Sequence, residues 1–376
     1  MTKLTLAACG IVLLTGLNGC SWETRADMSA PGRTVLVYMI ASNLGNALDN
    51  NIEDMMYAAG AGGLNGGTLV VFYSKNSDEA ELFEIRRGAG NLASRHHIRH
   101  YDGMSAVAPA TMRQVVRDVT ERYPSDSYGM ILSSHGTSWL PASYGNTPRS
   151  FGEENRRSME IYELAAGLPD RLFDFLVFDA CSMASVECLY ELRNKAGYIM
   201  ASPSEILSYG IPYKTVLPCL FQQNADLADA AGKFHVFYKT IFDTHYGNIS
   251  VVKTDELENL AQITRDIIAD AGQNTVYTPP LPNWQVLAYW NSSPTPLYDL
   301  EDVIIRLATD AQHTRFKTCL RKAVPVFYST NEIYCSNGPS IVSVNRFSGL
   351  SVYPLQSQLP QLNDWYKQLE WYKAVY

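Results

Sequence analysis

Two side chains of this sequence stand where they could take part in a reaction: His135 and Cys181, each just after a short apolar run. His135 belongs to the segment SSHGTSW and follows the run YGMIL, while Cys181 belongs to FDFLVFDACSMA. A histidine transfers protons near neutral pH, and a thiol becomes a strong nucleophile when a nearby base or a helix amino terminus favours its thiolate. If the fold joins them, the pair predicts nucleophilic catalysis. The alternative for His135 is a histidine that only satisfies the end of a strand.

The elements that must position this pair alternate between strands and helices. We predict strands at 34–40, 68–73, 128–132, 172–178 and 198–201, with helices among them. Such alternation predicts right-handed crossovers and an α/β fold, with a mostly parallel sheet and helices on both faces. One helix-containing crossover separates the strands that end near His135 and Cys181. We therefore expect both residues at the same carboxyl edge of the sheet, where α/β proteins keep their sites.

After residue 201 the alternation loosens, with a helix predicted at 225–244 and a strand at 249–252. Here we predict helices at 255–271, 297–309 and 314–323, and strands near 325–328 and 349–353. These strands are too few to hold a core alone. The sequence therefore predicts a main domain over residues 34–253 and a C-terminal α+β subdomain over residues 254–376 that packs on it.

The first twenty residues have the features of an export signal. Their apolar stretch, Leu4 to Leu17, is too short to span a membrane, and small residues precede Cys20. The sequence LNGC resembles a bacterial lipobox, in which Cys20 becomes the lipidated first residue of the mature protein. We predict a signal peptide over residues 1–20, a flexible tether over 21–33, and a lipid-anchored protein of the bacterial cell envelope, at the outer membrane or the periplasmic face. A plain secretory signal is the alternative.

Composition argues against a nucleic-acid partner, because the formal net charge is −8 and no long basic run occurs. Five cysteines follow the signal, an odd number without a CxxC pair, so we predict neither a disulfide framework nor a zinc site. The segment RHHIRH groups His96, His97 and His100 but lacks an HExxH or nearby carboxylate motif. A solvated strand or loop is the better interpretation of that segment than a metal hydrolase site.

The order of the two candidate residues is informative. Cys181 lies 46 positions after His135, which matches the order and approximate spacing of caspases and reverses the order of papain. Several segments between about residues 34 and 355 resemble the clostripain family of cysteine peptidases, within the caspase, gingipain and legumain group. The segments are VLVYMIASNLGNALDNNIEDM, SSHGTSW, SFGEENRRSMEIYELAAGL, FLVFDACSMASVE, ASPSEILSYGIPY and SGLSVYP.

This resemblance implies a caspase-like fold and a cysteine endopeptidase that acts on proteins or peptides. Cys181 would be the nucleophile and His135 the general acid and base. The backbone N–H groups of Gly136 and Cys181 would bind the oxyanion. The alternative is a catalytically inactive, clostripain-like binding lipoprotein. No cofactor is implied; calcium dependence occurs in the family, but no DxDxDG-type loop is present.

The resemblance also implies a substrate pocket formed by Asp179, Glu205 and Tyr209. Asp179 matches an acidic residue that the family keeps beside the nucleophile, and the alternative for it is a strand-end cap. Relatives that cut after arginine or lysine carry a pocket carboxylate where this sequence has Tyr209, and a tyrosine cannot neutralise a buried guanidinium. We therefore predict a preference for uncharged or apolar residues before the scissile bond. In the alternative, Glu205 or Asp179 restores a basic preference. Arg149, in the polar loop 140–157, is a candidate processing site.

Overall fold

The computed structural model describes residues 32–41, 44–141, 150–241, 246–272, 275–288, 296–336 and 341–376. The strands are β1 (Thr34–Ile40), β2 (Thr68–Ser74), β3 (Ala80–Arg87), β4 (Ala93–His100), β5 (Tyr128–Ser133), β6 (Phe151–Glu154), β7 (Arg157–Met159), β8 (Phe173–Asp179), β9 (Ala196–Ala201), β10 (Ile249–Lys253), β11 (Val286–Ala288), β12 (Leu297–Asp299), β13 (Val326–Tyr328), β14 (Glu332–Tyr334), β15 (Ile341–Ser343) and β16 (Ser351–Val352). The α-helices are α1 (Gly45–Gly60), α2 (Pro109–Arg122), α3 (Ile161–Gly167), α4 (Val186–Glu191), α5 (Tyr213–Leu220), α6 (Leu227–Ile241), α7 (Leu257–Ala271), α8 (Leu300–Ile304), α9 (Asp310–Ala323), α10 (Pro360–Tyr366) and α11 (Glu370–Val375).

Nine strands form the central sheet, in the order β13-β10-β9-β8-β5-β1-β2-β3-β4. The five neighbouring strands β9, β8, β5, β1 and β2 run parallel. Two further strands follow on each side, β10 and β13 beside β9 and β3 and β4 beside β2, and each of them pairs antiparallel with the strand before it. Strands β1, β5 and β8 consist almost entirely of buried apolar residues, as expected for parallel strands with both faces covered. The predicted mostly parallel sheet is confirmed.

Helices cover both faces of this sheet, as predicted. Side chains of β1 alternate between the two cores: Leu36, Tyr38 and Ile40 face one and Val35, Val37 and Met39 face the other. Helices α2, α3, α4, α7 and α9 contribute buried residues to the first core. Helices α1, α5 and α6 contribute to the second. Burial on both faces holds the inner strands in one register, which fixes where each strand ends.

The histidine-rich segment RHHIRH lies in β4, the exposed edge strand of the sheet. His97 lies 3.3 Å from the Glu81 carboxylate, and Arg99 pairs with Asp118 at 2.9 Å. Within the described ranges, no group of three or more His, Cys, Asp or Glu side chains is arranged to hold a metal ion. The segment therefore forms a solvated edge of the sheet.

The C-terminal segment joins the main sheet through β13, which pairs with β10. A second contact lies near Cys181: the Ser351 N–H donates to the Ala184 carbonyl at 3.1 Å. The division into residues 34–253 and 254–376 stays a prediction.

Residues 1–31, which include Cys20 and the predicted signal, lie outside the described residues. No described helix is long and apolar enough to cross a membrane.

Glu187 of α4 connects this C-terminal segment to the sheet core and makes stability depend on pH. Its fully buried carboxylate accepts a hydrogen bond from the Tyr353 N–H at 2.7 Å. Burial raises the pKa of Glu187 from 4.5 to about 7. Folding thus favours the protonated form, so this stabilisation is complete below pH 4.5 and is lost as the pH rises through 7.

We expect the free energy of unfolding to fall by about 3 kcal/mol between pH 4.5 and pH 8 because of Glu187, at about 1.4 kcal/mol per unit of pKa difference. The isosteric variant Glu187→Gln keeps an acceptor for the Tyr353 N–H but cannot ionise. It should therefore lack this part of the pH dependence. Urea unfolding of both proteins at several pH values measures the difference, and identical pH profiles would contradict the assignment.

Candidate active site

Strands β5 and β8 bring His135 and Cys181 to one edge of the sheet. In the parallel register of these strands, Ser133 lies opposite Asp179. His135 lies two positions after Ser133, and Cys181 lies two positions after Asp179. Both line one cavity of about 210 Å³, which also contacts α1 and the segment 205–210. The paired ends of neighbouring parallel strands thus place a histidine and a thiol at the same edge of the sheet.

Gly136 allows the histidine loop to lie directly against the cysteine loop. A Cβ atom at this position would be 2.6 Å from the Cys181 carbonyl oxygen and 3.1 Å from the Ala180 Cβ, so any larger residue must displace backbone. The Gly152 N–H donates to the His135 carbonyl at 2.9 Å, which holds the loop from its other side. The absence of a side chain at Gly136 is therefore a condition for this close approach.

A pair of buried serines also joins the two loops, and sequence reasoning missed it. Ser138, in the left-handed region at φ +63°, donates from its hydroxyl to Ser185 Oγ at 2.6 Å. Ser185 is the N-cap of α4 and accepts from the Cys188 N–H at 3.3 Å. Ser185 ahead of the apolar α4 run was a recognisable cap signal, but its partner Ser138 was not predictable.

The Cys181 thiol is enclosed by the backbone of Ile206. Its Sγ lies 3.4 Å from the Ile206 carbonyl oxygen and 3.3 Å from the Ile206 nitrogen. Burial, followed by the negative charge of Glu205, raises the pKa of Cys181 from 9.0 to about 12. Helix α4 begins at Val186, five positions after Cys181, and the prediction that its amino terminus favours the thiolate stays a prediction.

Asp179 is held rigidly beneath the thiol. Its Oδ2 accepts from Ser133 Oγ and the Tyr213 hydroxyl, and its Oδ1 accepts from the Ile211 N–H, each at 2.9 Å. Burial raises the pKa of Asp179 from 3.8 to about 6 despite these hydrogen bonds. The carboxyl group therefore fixes the segment 210–213 against the end of β8.

Glu205 and Tyr209 occupy different positions relative to the cavity. Glu205 lines it, its Oε1 accepts from the Ser336 N–H at 2.9 Å, and burial raises its pKa. Tyr209 is 53% exposed and is not one of the lining residues.

Arg149 lies outside the described residues. Beside its loop, Ser150 Oγ donates to the Leu140 carbonyl at 2.8 Å, which brings the loop ends together.

Helix α1 supplies a wall of the cavity that sequence reasoning missed. The lining residues from this helix are Ala47, Leu48 and Asn51, together with the N-cap residue Leu44. Because these residues lie more than eighty positions before His135, no local pattern connects them to the site. Only the pairing of β1 with β5 brings α1 to this edge.

The sequence model described as the clostripain family matches residues 37–375. Among curated proteins, none matches the chain significantly.

Solved structures resemble it over nearly their whole length. An inactive zymogen of a C11 protease from Parabacteroides distasonis is 35% identical, with a TM-score of 0.83, and the match covers 93% of this chain and 99% of that chain. A secreted C11 cysteine protease from Bacteroides thetaiotaomicron is 26% identical, with a TM-score of 0.81 and coverages of 92% and 99%. A secreted C11 cysteine protease from Bacteroides thetaiotaomicron in complex with an irreversible peptide inhibitor is 28% identical. Its TM-score is 0.79, and the match covers 92% of this chain and 99% of that chain.

Proposed function

The chain belongs to the clostripain family of cysteine peptidases and is a hydrolase, and we propose that it is an endopeptidase that cleaves peptide bonds with Cys181 and His135. The observation that carries the proposal is the shared cavity at the ends of β5 and β8, which both residues line. The similar protease that binds a peptide inhibitor supports a protein or peptide substrate.

His135 removes the proton of the Cys181 thiol as Sγ attacks the scissile carbonyl carbon. A thiol whose pKa is about 12 is protonated at neutral pH, so the base must act during the attack. The oxyanion that forms accepts hydrogen bonds from the Gly136 and Cys181 N–H groups. Gly136 lies against the Cys181 backbone, which suits this shared role.

The tetrahedral intermediate then collapses. The C–N bond breaks, His135 gives its proton to the leaving amine, and the acyl group remains on Cys181 Sγ as a thioester. His135 next takes a proton from a water molecule that attacks this thioester. The carbon–sulfur bond breaks, the thiol regains the proton, and the carboxylic acid product leaves.

A peptide library tests the function and the specificity together. The purified chain should cut internal bonds after uncharged residues, cut poorly after arginine, and leave the Arg149–Ser150 bond intact. Tyr209 stands where the resemblance implies the pocket carboxylate, and Glu205, which lines the cavity, already accepts from the Ser336 N–H. Cys319→Ala is a matched control that should retain the wild-type profile, because Cys319 lies in α9 away from the cavity. Peptide binding without cleavage would support the inactive alternative, and fast arginyl turnover that depends on Glu205 would overturn the specificity.

We also propose that the protein is exported and lipid-anchored through Cys20. A secreted relative supports export, and the LNGC sequence supports the anchor. Labelled palmitate should enter the wild-type protein in its bacterial host and be absent from Cys20→Ala. Cys9→Ala, within the same apolar stretch, is the control that should still be labelled. A mature amino terminus downstream of residue 20 would refute the anchor.

A further inference from the structure

Ser138 has a backbone conformation that is unusual for its residue type. Its φ of +63° lies in the left-handed region, which glycine adopts freely and which a residue with a Cβ atom adopts only at a cost. Residues other than glycine persist in this region when the surrounding structure holds them there, and they cluster at functional sites. A buried serine at this position therefore needs a compensating interaction of its side chain.

The hydroxyl group of Ser138 makes that interaction. It donates to Ser185 Oγ over 2.6 Å, and Cys188 Sγ lies 3.7 Å from the same Ser138 oxygen. All three residues are fully buried, so water does not compete for these contacts. A buried hydroxyl that loses its partner cannot turn to solvent instead, which makes such a bond costly to break. The link between Ser138 and Ser185 is therefore a fixed part of the structure.

This link joins the two loops that carry the proposed catalytic residues. Ser138 lies three positions after His135, in the histidine loop that follows β5. Ser185 lies four positions after Cys181, at the end of the cysteine loop that follows β8, and is the N-cap of α4. One hydrogen bond thus connects a point close to the base with a point close to the thiol.

Strand pairing does not hold the two loops together at this level. The pairing of β5 with β8 ends near Ser133 and Asp179, and the Ser134 N–H still donates to the Asp179 carbonyl at 3.2 Å. Further along, each loop is attached to another part of the fold: the histidine loop to β6, and the cysteine loop through the Ser182 N–H, which donates to the Ser204 carbonyl at 2.9 Å. Contacts between the loops must therefore set their separation.

We infer that Ser138 is a positioning residue for the peptide-bond cleavage: its hydroxyl, held by Ser185, keeps the His135 imidazole within reach of the Cys181 thiol. The inference rests on the proposed peptidase function. Ser138 does not line the cavity, so it acts through the loop and not on the substrate. A displacement of about 1 Å in a catalytic group can cost on the order of 10²-fold in rate, so even a small movement of the loop is measurable.

Ser138→Gly tests this role, because glycine adopts a φ of +63° without strain and removes the hydroxyl. We expect kcat on one fluorogenic peptide to fall by about tenfold to 10²-fold. The KM should stay within about threefold of wild type, because Ser138 does not line the cavity. Ser250→Ala is the matched control: it also removes a buried hydroxyl bond of 2.6 Å, to the Gly349 carbonyl. It should lower the melting temperature more than Ser138→Gly does and leave kcat unchanged.

Ser185→Gly shows whether the link itself carries the effect. This substitution removes the acceptor oxygen, while glycine remains an acceptable N-cap for α4. We expect Ser185→Gly to lower kcat as Ser138→Gly does, and the double variant to be no slower than either single variant. Additive losses would mean that the flexibility of glycine, and not the hydrogen bond, slows the reaction, and they would overturn the inference.

Each protein is assayed as the full chain, before and after limited tryptic cleavage, with trypsin inhibited before the assay. A wild-type kcat in Ser138→Gly would overturn the inference while preserving the peptidase. A loss of kcat that disappears when the rate is divided by the folded fraction would show a structural role only and would also overturn it. No turnover of any peptide by the wild-type protein, with no Cys181-dependent labelling by a thiol probe, would instead refute the peptidase function, and the inference with it.

Discussion

Cys181→Ala is expected to lower kcat/KM for peptide hydrolysis by about 10⁴-fold or more, and His135→Ala by nearly as much. The thiol supplies the bond that carries the acyl group, and without His135 its raised pKa leaves it protonated. Because the two residues act as one unit, the double variant should be little slower than either single variant. Steady-state kinetics on one peptide measure all three.

The folding of these variants serves as the control. In the part of the chain that the structure describes, the hydrogen bonds of Cys181 Sγ are to the Ile206 backbone, so its removal should change the melting temperature little. Additive losses in the double variant would mean that the residues act separately. Most of the activity surviving in Cys181→Ala would refute the mechanism.

Gly136→Ala is expected to produce the second largest loss, about 10²- to 10³-fold in kcat, the effect of losing one oxyanion donor. The added Cβ would lie 2.6 Å from the Cys181 carbonyl oxygen, so the two loops must separate and both proposed N–H donors move. Gly45→Ala is the matched control, since a Cβ there meets no atom within 4 Å.

Binding and turnover distinguish the cause of this loss. Gly136→Ala should keep its KM within a fewfold of wild type, because the wall of the cavity that α1 forms is unchanged. A kcat equal to that of wild type would remove Gly136 from the proposed oxyanion site.

The strand ends were predictable because continuous apolar runs mark strands buried on both faces, and because parallel neighbours share one carboxyl edge. This reasoning placed His135 and Cys181 at the ends of adjacent strands, where the structure has them. It could not anticipate the Cys181 pKa. Burial of the thiol raises this pKa most and the charge of Glu205 raises it further, and the packing of the segment that contains Glu205 against the thiol has no sequence signature.

Local sequence patterns also gave a wrong secondary structure near residue 297, because strand pairing between distant residues determines it. The sequence predicted a helix over 297–309, but its first three residues form β12, which pairs with β16. Helix α8 starts afterwards, with the Asp299 side chain accepting from the Asp302 N–H at 3.1 Å as its N-cap. The cap could have been recognised. The partner strand was predicted near 349–353, but its pairing with residues 297–299 was not.

Asn51 illustrates the same limit at the active site. Its position on an amphipathic helix identifies only a buried face. Its place in the wall of the cavity arises because β1 lies next to β5 in the sheet, which no segment of α1 reveals. Residues that carry chemistry by type, such as His135 and Cys181, can be found from sequence, whereas residues that belong to the site by location require the fold.

The most direct test of the central claim is to identify the side chain that reacts with a substrate-like electrophile. The full wild-type chain is incubated with a peptidyl acyloxymethyl ketone that carries an uncharged residue next to the reactive group, then digested and analysed by mass spectrometry. We expect one adduct, on Cys181, formed much more slowly in His135→Ala and absent from Cys181→Ala. An adduct on Cys188, Cys219, Cys319 or Cys335, or labelling of Cys181→Ala at the wild-type rate, would contradict the role of Cys181 as the nucleophile.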